Sequence, residues 1–129
     1  MIARNRPERN QEWLQDILTA IEKIERRAVA GRAAFDLDDV LQDAIIRQIQ
    51  IVGQAAKRLT EDFKNRHPEI PWREVAGMRD VLVHDYGDID LNAVWSVVEK
   101  DIPPLRTAVE TALHESDTPV NRADLPSES

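Results

Sequence analysis

The chain has 129 residues, 42% of them hydrophobic, and a formal net charge of −7. That length favours one domain with a real core, and the apolar content excludes a disordered chain. The absence of cysteine removes disulfides, thiolate catalysis and cysteine-based zinc sites.

The first residues, Met1 to Pro7, carry charge with no apolar segment behind it, so no signal peptide is expected. No apolar run approaches the ~20 residues that span a bilayer. A cytoplasmic protein without membrane contact is therefore expected. The acidic balance argues against broad nucleic-acid binding, which rests on neutralising phosphates. The charge is uneven, however. Residues 47–86 hold seven Lys or Arg against six Asp or Glu, leaving −8 for the rest, so any RNA contact should fall in the middle of the chain.

A first helix is predicted from about Glu8 to Ala30, because Trp13, Ile17, Ile21, Ile24 and Ala28 recur at three- and four-residue steps. Gly31 is its expected stop. Asp36 is the expected N-cap of a second helix, with Asp38 and Asp39 favourable at the positive end of its dipole. The series Leu41, Ile45, Ile49, Val52, Ala56, Leu59 and Phe63 carries that helix to His67-Pro68, where proline disfavours helical geometry in the residue before it. Ile46, Gly53 and Ala55 widen its apolar face, and the small residues would let another helix approach closely. Arg47, Gln50, Gln54 and Lys57 form its polar face.

Pro71 suits the first turn of a third helix with Trp72, Val75, Met78 and Leu82 on its apolar side. His84 to Asp90 reads as its end and a loop, broken by Gly87, with Asp90 as the next N-cap. A fourth helix carries Leu91, Val94, Trp95, Val98 and Ile102. Pro103-Pro104 must kink or restart it before Leu105, Val109 and Leu113 continue the stripe. The expected architecture is an all-α antiparallel bundle of four to five helices over residues 8–114, with a polar tail, 115–129, expected to fray.

No pair of the three histidines has metal-ligand spacing, so no metal or cofactor site is expected. His67 reads as a helix-end residue, and His114 as a cation in a last helical turn. His84 stands apart because Arg79, Asp80 and Tyr86 surround it. Arginine presents a permanently charged fork to phosphate oxygens, and histidine moves protons near neutrality. Together they are sufficient in kind for RNA cleavage without a metal. On a continuous helix, however, residues five apart point about 140° away from each other. Three arrangements remain open. The helix ends near His84 and the loop turns it back, or a second subunit completes the site, or the pair merely caps a helix.

The pattern Arg79-x-x-x-x-His84-x-Tyr86 resembles that of the HepT-like toxins of the HEPN superfamily. The flanking segments Gly53-Gln54-Ala55-Ala56-Lys57-Arg58-Leu59, Pro71-Trp72, Gly77-Met78 and Asp101-Ile102-Pro103 are similar to that family in the same order, over roughly residues 10–113. One departure is Gln54, where glutamate is common in the family. The resemblance implies a HEPN-like helical homodimer, with Arg79 and His84 catalytic and Asp80 as supporting polar residue, facing a cleft between subunits. It further implies a toxin of a type VII toxin–antitoxin system, a metal-independent endoribonuclease with tRNA among its candidate substrates. The implied partner is a minimal nucleotidyltransferase antitoxin that attaches AMP to Tyr86. The alternative is a non-catalytic HEPN dimer serving as a nucleotide- or partner-binding module for that nucleotidyltransferase, and the acidic net charge favours it.

Overall fold

The computed structural model describes residues 9–78 and 89–117. Among them the regular elements are all helical: α1 (Asn10–Ala28), α2 (Gly31–Leu37), α3 (Asp39–Lys57), α4 (Glu61–Arg66), α5 (Trp72–Gly77), α6 (Leu91–Ser96), a π-helical turn (Val97–Asp101) and α7 (Ile102–Asp117). The all-α architecture expected from the apolar spacing is present. It has more segments than the four to five helices expected, because two expected helices are interrupted and one connection is itself helical. None of the described helices is long and apolar enough to cross a membrane.

α1 and α3 make the central pair. Leu14, Ile17, Ile21 and Ile24 of α1 and Ile45, Ile49 and Val52 of α3 are fully buried. Their spacing puts each set on one helical face, and packing those faces together removes both from water. Ile46, Gly53 and Ala55 are buried as well, so the widened face of α3 is used inside the chain. α5 packs on α3, and α7 packs on α1. Arg106, near the start of α7, meets Glu22 and Glu25 near the end of α1, so these two helices run antiparallel.

The connection after α1 corrects the expected capping. Gly31 has φ +91°, left-handed backbone that glycine adopts without a Cβ penalty, and the chain turns there directly into α2. α2 buries Phe35, whose ring lies 5.1 Å from that of Trp95. Asp36 is not the cap of α3. It sits inside α2 and accepts from Arg32 at 2.7 Å, the i,i+4 geometry. Asp38 caps α3 instead, accepting from the amides of Val40 and Leu41 at 3.0 and 3.1 Å.

The helix expected to run unbroken to His67 stops at Lys57 and restarts at Glu61. Thr60 makes the break. Its hydroxyl accepts from the amide of Phe63 at 3.1 Å and from the side-chain amide of Asn10 at 3.0 Å, while its own amide donates to Asn10 Oδ1 at 3.0 Å. Asn10 opens α1, so this clasp sets the start of α1 against the end of α3 and makes the pair antiparallel.

The prolines restart the last helix, as expected. Pro103 and Pro104 lie in the first turn of α7, where absent amide hydrogens cost nothing, and the π-helical turn precedes them. Ile102 donates its amide to the carbonyl of Val97, five residues back.

Candidate functional site

Arg79, Asp80, His84 and Tyr86 lie outside the described residues, as do Leu82 and Gly87. The elements that deliver and receive this stretch are defined on both sides.

On the near side stands an aromatic cluster under α5. Phe63 of α4 is buried, its ring 4.5 Å from His67 and 6.0 Å from Trp72. The Trp72 indole donates to the backbone carbonyl of His67 at 3.1 Å, which fixes the first turn of α5 against the end of α4. Pro71 occupies the N-cap position of α5, one residue earlier than expected. Val75 and Met78 are buried, so the chain reaches position 79 from a held helix.

On the far side Asp90 caps α6, as its position predicts, accepting from the amide of Ala93 at 3.0 Å. Arg32 of α2 donates to the side chain of Asn92 while also holding Asp36. The return point of the motif stretch is thereby tied to α2.

His67 is 8% exposed, with Glu69 3.4 Å from Nδ1 and Glu115 3.5 Å from Nε2. It joins the ends of α4 and α7, the helix-end role its position suggests. His114 is exposed on the last turns of α7. Among the described residues, no group of three or more His, Cys, Asp or Glu side chains is placed to hold a metal ion.

Beside the motif flank lies a cleft of about 460 Å³ between α5, the π-helical turn and α7. Ile70, Val75, Met78, Val97 and Leu105 supply its apolar wall, and Glu69, Glu74 and Asp101 its carboxylates. Those carboxylates make the cleft a poor seat for phosphate.

The segments whose order carried the resemblance take defined places around this region. Gly53, Ala55 and Ala56 are buried in α3 with Gln54 exposed among them, and α5 rests on that helix. The family model for Ribonuclease HepT-like proteins matches residues 17–112. The chain belongs to the HepT-like ribonuclease family. A relative named "Probable ribonuclease HepT" from Thermococcus cleftensis is 44% identical over 103 residues, covering 78% of this chain and 93% of that protein. "Putative RNase TTE0752" from Caldanaerobacter subterraneus subsp. tengcongensis is 37% identical over 102 residues, covering 78% of this chain and 91% of its own length. "Gamma-glutamylcyclotransferase and putative RNase MJ0434" from Methanocaldococcus jannaschii is 41% identical over 106 residues, covering 81% of this HepT-like chain but 48% of that protein. No solved structure gave a significant match.

Proposed function

We propose that this HepT-like chain is a metal-independent endoribonuclease, the toxin of a toxin–antitoxin pair, working as a homodimer. The observation that carries the reading is the ordered motif Arg79, Asp80, His84 and Tyr86 in a chain of the HepT-like ribonuclease family. His84 removes the proton from a ribose 2′-hydroxyl. The 2′ oxygen attacks the adjacent phosphorus, and the guanidinium of Arg79 stabilises the charge that grows on the non-bridging oxygens. The partner subunit's His84 protonates the departing 5′ oxygen, leaving a 2′,3′-cyclic phosphate. Two copies across a two-fold axis supply both the base and the acid that one histidine cannot, and they accommodate the separation of about 140° that a continuous helix would impose on Arg79 and His84. Asp80 orients Arg79.

A nucleotidyltransferase partner silences this site by transferring AMP from a nucleoside triphosphate to the Tyr86 hydroxyl, with pyrophosphate leaving. The added phosphate and adenosine, two residues from His84, repel and block the RNA strand.

Purified protein is expected to cleave RNA in the presence of EDTA. Arg79→Ala and His84→Ala are expected to abolish cleavage while circular dichroism and molar mass stay unchanged. Co-expression with the partner should raise the protein's mass by one or more AMP increments, lost in Tyr86→Phe. Full cleavage by a folded His84→Ala protein overturns the mechanism. No cleavage and no growth arrest from the wild type would favour the binding-module alternative.

A further inference from the structure

Residues 44–60 are the longest stretch of this acidic chain without a carboxylate: 17 residues holding Arg47, Lys57 and Arg58 and no Asp or Glu. The structure turns that stretch into a surface. At 100° per residue, Arg47, Gln50, Gln54, Lys57 and Arg58 fall within an arc of about 100° along about 16 Å of α3 and its cap. Arg47, Gln54, Lys57 and Arg58 are exposed and Gln50 is half-buried, while the opposite side of α3 is in the core. Asp43 lies on the same face one turn before Arg47 and marks where the stripe begins. Arg47 has no carboxylate partner among the described residues. Arg58 has its guanidinium 5.3 Å from the centre of the Trp13 ring, which holds the cation in place on an aromatic body, and it has no carboxylate partner among the described residues.

We infer that this face of α3 is a track for single-stranded RNA, with Arg47 and Arg58 on phosphates and Gln50 and Gln54 hydrogen-bonding sugars or base edges. Three features favour that occupant. Guanidinium and amide groups without interleaved acids match a polyanion lined with acceptors. Half-exposed Trp13 gathers a second guanidinium beside Arg58, that of Arg9, 4.8 Å from its ring centre and paired with Glu12, so the end of the stripe carries two arginines on one aromatic body. The location is also right: α5, the helix that delivers Arg79, packs on α3, whereas the cleft on the α7 side of α5 is lined with Glu69, Glu74 and Asp101. On this reading RNA is drawn along α3 and turned away from that cleft. Placement of charge to suit the dipole of α3 accounts for Lys57 and Arg58 at its C-terminal end, but not for Arg47 in mid-helix.

The inference rests on the RNA reading above, and the test separates the two. The probe is a labelled single-stranded oligoribonucleotide with 2′-O-methyl at every sugar, which lacks the attacking hydroxyl and reports binding alone. Against full-length wild type, the R47A/R58A double variant should weaken binding roughly tenfold or more, and the slope of log affinity against log salt should flatten by about 0.7 for each phosphate contact removed. Q54E, which leaves the Trp13 contact untouched, should weaken binding in the same direction. R26A/R66A, with the same charge change on α1 and α4, should stay within about twofold of wild type. Unchanged affinity in both the R47A/R58A and Q54E proteins overturns the track. So does an equal loss in R26A/R66A, no binding by the wild type, or a fall in molar mass of R47A/R58A that marks the face as a contact between copies. Track-dependent binding with no cleavage of the unmodified RNA overturns the ribonuclease reading alone.

Discussion

Asn10 and Thr60 bury four polar atoms between them and satisfy one another. Each is less than a tenth exposed, and the two hydrogen bonds between them run in opposite directions. Removing the Asn10 side chain leaves the Thr60 amide unpaired, and removing the Thr60 hydroxyl leaves Asn10 Nδ2 and the Phe63 amide unpaired, at a cost of about 1–3 kcal/mol. Asn10→Ala and Thr60→Ala are each expected to lower the unfolding free energy extrapolated from urea denaturation by that amount. The double variant should lose less than the sum of the two, which a double-mutant cycle measures directly. Additive losses would mean that each residue acts through its own helix end. At the same scale, the motif was legible in the sequence only as a pattern. Arg79 and His84 have the right chemistry, but five-residue spacing would set them on different sides of a continuous helix, so spacing alone leaves their arrangement open.

The elements show where apolar periodicity is a good guide and where it fails. Ile17, Ile21, Ile24, Ile45, Ile49 and Val52 were legible because burial repeats with the helical period. The break at Thr60 was not, since Leu59 and Phe63 keep the four-residue step across it and the interruption comes from Asn10, fifty residues away. A local signal existed: Thr60 followed by Glu61 and Asp62 is the composition of a helix start. α2 escaped because seven residues with one buried aromatic side chain leave little periodicity to read. Its entrance depends on Gly31, where a Cβ would meet nothing within 4 Å, so any cost of substitution comes from the backbone alone. Gly31→Ala should therefore destabilise by roughly 1–2 kcal/mol, the cost of left-handed geometry for a residue with a Cβ. Thermal denaturation measures this, and an unchanged midpoint would show that the turn relaxes to another conformation.

Across the whole molecule, Arg106 ties the last helix to the first. Its guanidinium meets Glu22, Glu25 and Glu110, three carboxylates from two helices. The hydrogen bond to Glu110 is the largest influence holding its pKa above the ordinary arginine value, the charges of Glu25 and Glu110 add to it, and partial desolvation opposes them. A raised value means that its contribution is complete through the neutral range and is lost only in strong alkali. Arg106→Gln would leave three like charges facing one another. The variant's melting temperature should fall most at low ionic strength and recover as salt is added, because screening shortens to about 8 Å at physiological salt. A deficit independent of salt would assign the loss to packing of the arginine stem.

The Asn10–Thr60 clasp also orders events during synthesis. The first turn of α1 leaves the ribosome early, but its partner follows only after fifty more residues, once all of α3 has been made. Until Thr60 emerges, the first turn of α1 lacks the partner that fixes it against the end of α3. The α1–α3 pair is thus completed as one unit, from residues that all leave the ribosome ahead of Arg79 and His84.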